Sequence, residues 1–193
     1  FYRFPSPRMK KLYRYYIELG ADAVVNHHQH CYSGYEFYNE KPIFYGLGNF
    51  CFDEAGNGNL WNEGFCVSIS FVNDKIQTEM LPYSQCADKP QVDFYLSNDS
   101  RRIPFENNIK SINDVIANDE MLQKSFNEFA SSKARFILSL YSSYHNRYLN
   151  AAMCRGLLPM PATDTELASI LNYTNCESHR DVVVANLFAK INK

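Results

Sequence analysis

The segment that decides the fold is GADAVVNHHQH, at residues 20–30. Its glycine is followed by a short run rich in alanine and valine, and then by three histidines within four positions. Upstream, Ser6-Pro7 is typical of a helix start, with serine as the N-cap and proline in the first turn. Gly20 stands where a glycine commonly ends such a helix. The order helix, glycine, strand, histidines predicts an α/β sheet, in which sites form beyond the carboxyl ends of the strands.

His28 and His30 are two positions apart, and in an extended segment such residues point the same way. Neutral imidazole is a common metal ligand, so this pair can present two nitrogens to one small volume. Two donors do not complete a site, because zinc takes about four ligands and octahedral metals take about six. Spacing alone leaves open a metal pair and a polar loop whose histidines bond to the backbone.

The surrounding sequence predicts one helix and two hairpins. Apolar residues after Ser6 follow the three-four spacing of one buried helical face: Met9, Leu12, Tyr13, Tyr16 and Ile17. Aromatic runs at 35–38 and 43–45 flank a four-residue connection, which is typical of a β-hairpin. Apolar residues alternate over 65–71, and Asn73-Asp74 then turns the chain into residues 75–81.

The hydrophobic pattern of the sequence changes after about Pro90. Residues 91–104 have no clean period, whereas the apolar spacing from residue 109 onward is helical. We therefore predict three parts: residues 1–90 with the sheet, a connector at 91–108, and an α-helical lobe at 109–193.

Composition excludes some classes of function. The 193 residues carry 19 basic and 21 acidic side chains, so the strong basic excess of a nucleic-acid binder is missing. No apolar run in the sequence approaches the roughly 18–20 residues that cross a bilayer. The six cysteines form no C-x-x-C pair, which argues against a zinc knuckle. We expect them to be mostly reduced, with a disulfide framework as the alternative.

Two ordered motifs carry a family resemblance. Residues 20–30, followed by KPIFYGLGNFCFD at 41–53, resemble the poly-γ-glutamate capsule biosynthesis (CapA-like) family. That family has a Gly-Ala-Asp strand, a Gly-x-His-Pro-His turn and an Ile-Phe-Tyr-Ser-Leu-Gly-Asn-Phe segment in this order. The Pro-Ser-Pro-Arg helix start also fits, and the close resemblance covers residues 4–53.

The resemblance implies a metal centre. The family is similar to calcineurin-like metallophosphoesterases, whose Gly-His-x-His turn gives one histidine to each metal of a two-metal centre. His28 and His30 match those positions, with Mn, Zn or Fe as the implied divalent metal. Asn26 and Gln29 depart from the family's glycine and proline, which changes the turn rather than the ligands. Gly48 and Asn49 match the Leu-Gly-Asn-Phe loop, either as second-shell or substrate-binding groups, or as a tight turn.

The remaining implied ligands, including a bridging aspartate and an Asn-His pair, precede the Pro-Ser-Pro helix in the family. No Asp-x-His, Gly-Asp or Asn-His-Asp/Glu string occurs here before residue 26. We therefore expect a fragment with an incomplete site and no assigned catalytic residue. Its implied fold is the second half of a metallophosphoesterase-like layered β-sandwich with flanking helices, followed by the helical lobe.

The implied function is capsule or poly-γ-glutamate biosynthesis with a metal-dependent hydrolase centre, associated with the cell envelope in the intact protein. The implied partners are the upstream half of the same protein, other capsule synthase subunits or acidic polymer, and no nucleic acid. Self-association through an unpaired sheet edge is also expected. Two alternatives stay open: a non-catalytic binding or assembly module of a polymer synthase, and a cytosolic phosphodiesterase.

Overall fold

The structure, a computed structural model, describes residues 2–27, 30–53, 56, 58–73, 75–86, 89–139, 146–159 and 163–175. The chain divides into two compact units, Phe1–Ala130 and Ser131–Lys193. The described part is mixed α/β, with six helices and two three-stranded sheets, which confirms the predicted α/β class.

The helices are α1 (Pro7–Glu18), α2 (Asn59–Asn62), α3 (Arg102–Ala117), α4 (Asp119–Ser139), α5 (Arg147–Cys154) and α6 (Asp164–Asn175). The strands are β1 (Val24–Val25), β2 (Tyr35–Tyr38), β3 (Lys41–Phe44), β4 (Glu63–Val72), β5 (Lys75–Gln85) and β6 (Val92–Phe94).

Helix α1 begins where the sequence predicts, and Ser6 Oγ accepts a hydrogen bond from the Met9 N–H at 3.1 Å. Ile17 is buried, and Met9 and Tyr13 pack against the same core. The predicted burial of Leu12 and Tyr16 is wrong, because their side chains are 38% and 41% exposed. The helix contacts the core through a narrower stripe than its apolar spacing suggests.

The first sheet has the order β1-β3-β2. β1 runs parallel to β3, with Val24 opposite Ile43, and β2 runs antiparallel to β3. The predicted hairpin is confirmed, although its turn is only Asn39-Glu40, both with positive φ. The strand expected over residues 21–25 is shorter than predicted. It lies at an edge of this sheet in the described part of the chain.

The second sheet has the order β4-β5-β6 and is antiparallel. The predicted hairpin around Asn73 is confirmed and longer than expected, since ten residue pairs join its strands. β6 forms within the stretch expected to be a connector, where Tyr83 lies opposite Phe94.

Helix α3 closes the core over both sheets. Its buried residues Phe105, Ile109, Ile112 and Ile116 belong to one apolar cluster with Ile43, Phe44, Tyr45 and Phe65. The first compact unit, Phe1–Ala130, contains α3 as well as the stretch 91–108 that was predicted to be a connector. The last predicted helical stretch, around residues 183–188, lies outside the described residues.

Two further observations concern the described residues alone. No helix among them combines the length and apolar character needed to cross a membrane. Five cysteines are free thiols, namely Cys31, Cys51, Cys66, Cys86 and Cys154, while Cys176 lies outside the described part.

Candidate functional site

The end of β1 places the histidine segment beside the loop that follows β3. The Asn26 side-chain amide donates to the Tyr45 carbonyl at 2.8 Å, and the Asn26 carbonyl accepts from the Leu47 N–H at 3.2 Å. Asn26, which stands where the family has glycine, therefore ties the strand end to residues 45–47. His27 and His30 are both exposed, and His28 lies outside the described residues.

His30 and Asn49 form the centre of the site. Asn49 is 3% exposed, and its Oδ1 lies 3.0 Å from Nδ1 of His30. Its Nδ2 donates to two carbonyls, those of His30 at 3.3 Å and Trp61 at 3.2 Å. Because both acceptors face Nδ2, the amide orientation is fixed and Oδ1 must accept from the imidazole. The hydrogen-bond network thus assigns the proton to Nδ1, and Nε2 carries the lone pair of the neutral ring.

Gly48 brings Asn49 to this position through a close approach of two backbones. Gly48 has φ +89° and forms an isolated antiparallel bridge with Gly64 at the start of β4. A Cβ on Gly48 would lie 2.8 Å from the Glu63 carbonyl oxygen, so no other residue fits without movement of β4. The glycine thus makes a tight turn, while the asparagine side chain bonds to His30 and Trp61.

Two aromatic rings flank the His30 imidazole. The indole of Trp61 stacks on it, with ring centroids 5.5 Å apart and an interplanar angle of 19°. The ring of Phe52 meets it edge-on at 6.0 Å and contacts Trp61 at 5.2 Å. Sequence reasoning missed both residues, and the one available signal was that Trp61 is the only tryptophan in the chain.

Two residues of β5, Tyr83 and Gln85, form hydrogen bonds to the backbone of this site. The sequence pattern predicts neither contact. The Tyr83 hydroxyl donates to the Asn49 carbonyl at 2.8 Å, and burial raises the pKa of Tyr83. Gln85 is 1% exposed; its Oε1 accepts from the Phe52 N–H at 2.7 Å and its Nε2 donates to the Trp61 carbonyl at 3.1 Å. These buried hydrogen bonds fix the loop that carries Asn49 and the flanking rings.

Among the described residues of this site, His30 alone has the surroundings of a metal ligand. A ligating histidine usually donates its second ring N–H to an oxygen acceptor, as His30 does to Asn49. Among the residues that the structure describes, no three His, Cys, Asp or Glu side chains form a group that could hold a metal ion. His30 thus has the chemistry of a metal ligand, and further donors must join it to complete a site.

The comparisons with known proteins place the first quarter of the chain in a class. Residues 2–54 match the family described as bacterial capsule synthesis protein PGA_cap. The predicted resemblance to the capsule biosynthesis family is therefore confirmed over this segment, which contains His28, His30, Gly48 and Asn49. Trp61, Tyr83 and Gln85 lie beyond it.

Individual relatives agree with that class. The chain is 44% identical over 51 residues to capsule biosynthesis protein CapA of Bacillus anthracis, covering 26% of this chain and 12% of that protein. It is 46% identical over 51 residues to PGA biosynthesis protein CapA of Bacillus subtilis (strain 168), covering 26% and 13%. Uncharacterized protein y4sH of Sinorhizobium fredii is 46% identical over 50 residues, covering 26% and 11%. The matched segments thus cover about an eighth of these relatives' lengths. No solved structure matches the chain.

Proposed function

We propose that this chain is part of a capsule or poly-γ-glutamate biosynthesis protein with a metallophosphoesterase-type hydrolase centre, to which His28 and His30 contribute metal ligands. The family match over residues 2–54 supports the biosynthetic role. The names of the two Bacillus relatives, which refer to capsule and PGA biosynthesis, support the polymer class. By the same resemblance, we assign the intact protein to the cell envelope.

The observation that carries the metal proposal is the contact between His30 and Asn49. An imidazole that binds a metal through Nε2 must keep its proton on Nδ1, and the Asn49 amide favours that tautomer. A histidine that only stabilised the loop would not need a buried amide with a fixed orientation. The stacking of Trp61 on the ring further restricts its rotation.

When bound, a pair of Mn, Zn or Fe ions supplies an activated water and charge stabilisation for the oxygens of the scissile group. The chain's own contribution is to orient donors: Asn49 sets the His30 tautomer, and Gly48 sets the position of Asn49. Trp61 stacks on one face of the imidazole and restricts the rotation of the ring. We assign no group of this chain to general acid or base catalysis.

We further propose that the missing donors come from the upstream part of the same protein, as the family resemblance implies. The edge of β1 opposite β3 is a fitting place for an added strand, because β1 is the outermost strand of this sheet among the described residues. Additional pairing there would bring upstream residues next to the histidine segment. Without it, the same edge favours self-association.

The test is hydrolysis of a phosphodiester, bis(p-nitrophenyl) phosphate, with Mn²⁺ by the chain alone and by the chain co-expressed with its upstream segment. We expect turnover only in the second case, and at least a tenfold loss in His30→Ala. The matched control is His27→Ala, which removes a neighbouring exposed histidine and should leave turnover unchanged. Metal-dependent turnover by the chain alone, or full activity of His30→Ala, would contradict the proposal.

A second function, a non-catalytic assembly module, is favoured by one observation. Helix α1 and its C-cap residue Leu19 expose an apolar stripe at three-four spacing, which also includes Leu12, Tyr15 and Tyr16. Contiguous exposed apolar surface of this kind often marks a protein contact. A metal titration separates the two functions, since an assembly module has no need to bind a divalent ion at His30.

A further inference from the structure

We propose that Gln85 is a positioning residue for the His30 imidazole, acting through the Trp61 carbonyl and the Asn49 amide. Its position on β5 is remote in sequence from the histidine segment and outside the segment shared with the capsule synthesis family. The positioning itself is independent of any ligand. Its consequence for metal binding rests on the proposed function.

Both ends of the Gln85 amide are engaged, and the side chain is 1% exposed. Oε1 accepts from the Phe52 N–H at 2.7 Å, and Nε2 donates to the Trp61 carbonyl at 3.1 Å. Phe52 and Trp61 are the residues whose rings contact His30. One buried amide therefore connects the central strand of the second sheet to the backbones of the two residues that carry the flanking rings.

The Trp61 carbonyl is the point where two amides meet. It accepts from Gln85 Nε2 at 3.1 Å and from Asn49 Nδ2 at 3.2 Å. The Asn49 orientation depends on this carbonyl, because it is one of the two acceptors that face Nδ2. If this carbonyl moves, Asn49 Nδ2 loses one of its two acceptors, and the preference for the amide orientation that directs Oδ1 at His30 becomes weaker. An inverted amide would present N–H groups to Nδ1 and favour the opposite tautomer of the imidazole.

Neither Phe52 nor Trp61 lies in a strand, and side-chain amides bond to the backbone of both. Phe52 lies between β3 and α2 in a stretch where Cys51 has φ +56°, and Trp61 lies in the short helix α2. Strand β5 pairs with β4 up to Ser84 and with β6 at Gln85 itself, which lies opposite Val92. The hydrogen bonds of Gln85 thus fix the backbone of Phe52 and Trp61 relative to a paired strand.

The test is the tautomer of His30, measured from ring ¹H–¹⁵N spectra of the full chain above the imidazole pKa, without metal. The wild-type ring should be mostly protonated on Nδ1 and show NOEs to the Trp61 indole. Gln85→Met keeps the side-chain length and removes both hydrogen bonds. It should change the tautomer ratio about fivefold and weaken those NOEs, as expected for losing one ordering hydrogen bond. Gln77→Met, at an exposed glutamine of the same strand, should behave as wild type.

An unchanged tautomer and unchanged NOEs in a folded Gln85→Met would overturn the proposal. Where that variant does not fold, amide hydrogen exchange in the wild type decides: the Phe52 N–H should be protected, and rapid exchange would equally overturn it. Zinc titration of the same samples tests the metal link separately. A wild-type chain that shows the predicted tautomer but binds no zinc even when co-expressed with its upstream segment contradicts the proposed function and leaves the positioning role supported.

Discussion

The side-chain oxygen of Asn49 lies 3.0 Å from Nδ1 of His30, nineteen positions away in the chain. A buried amide thus contacts an exposed imidazole, and its two other hydrogen bonds to carbonyls fix which end faces the ring. This arrangement makes Asn49 a determinant of the ring's protonated nitrogen, and several consequences can be measured.

Replacing Asn49 should weaken both metal binding and the fold. Asn49→Leu removes the acceptor for His30 Nδ1 and the Nδ2 donor that bonds to the carbonyls of His30 and Trp61. We expect about a 10–100-fold loss of zinc affinity by calorimetry, and a loss of roughly 1–3 kcal/mol in unfolding free energy by urea denaturation. Asn107→Leu, on the exposed side of α3, is the matched control and should change neither. Wild-type zinc affinity in Asn49→Leu would contradict this role.

Gly48 should be irreplaceable for two separate reasons, its positive φ and its contact with β4. Gly48→Ala should cost roughly 2 kcal/mol or more of stability in thermal or urea unfolding. Gly58→Ala is the matched control, because Gly58 has φ +88° against +89° for Gly48 but no atom within 4 Å of its added Cβ. It should carry only the conformational cost. Equal losses in the two variants would show that the β4 contact contributes nothing.

Lys10 should stabilise the first unit through a buried backbone contact rather than through its ion pair. Its side chain is buried, and Nζ donates to the Ile116 carbonyl at the end of α3 and to Asp119 at 2.7 Å. Lys10→Met should cost about 1–3 kcal/mol, since it leaves the carbonyl unpaired. Asp119→Asn should cost at most about 1 kcal/mol, because the Asp119 side chain is 81% exposed. A larger loss in Asp119→Asn than in Lys10→Met would reverse this assignment.

Glu63 should lower stability at neutral pH. Burial raises the pKa of its carboxyl, and the hydrogen bond from Tyr95 and the charge of Arg101 offset this only in part. Between the unfolded and folded pKa values the folded protein binds more protons, so stability falls as pH rises through that window. Glu63→Gln keeps an oxygen for the Tyr95 hydroxyl and should raise the melting temperature at pH 7. This gain should vanish below about pH 4, where the carboxyl is protonated in both states. A gain confined to acid would contradict the sign.

The sequence predicted the positions of individual helices and hairpins better than the burial of their side chains. Ser6 and the Asn73 turn have local signals, so helix α1 and the β4–β5 hairpin could be placed from residue types alone. The exposure of Leu12 and Tyr16 depends on which neighbours reach α1, and helical spacing does not contain that information. The helical spacing of α3 likewise does not tell which residues its apolar stripe contacts.

The site shows a similar division. The motif resemblance identified His30, Gly48 and Asn49, which the structure brings together. Gln85 and Trp61 could not be found, because a buried amide that bridges two loop residues leaves no periodic or spacing signal. Strand pairing places Tyr83 opposite Gly64, which bridges to Gly48, and Gln85 two residues further on bonds to the backbones of Phe52 and Trp61.

Calorimetric titration of the chain with Mn²⁺ or Zn²⁺ tests the central claim, that the histidine segment supplies metal ligands, most directly. We predict measurable binding by wild type, unchanged binding by His27→Ala, and at least a tenfold loss in the double variant His28→Ala/His30→Ala. Equal affinity of wild type and the double variant, with both folded by circular dichroism, would contradict the claim.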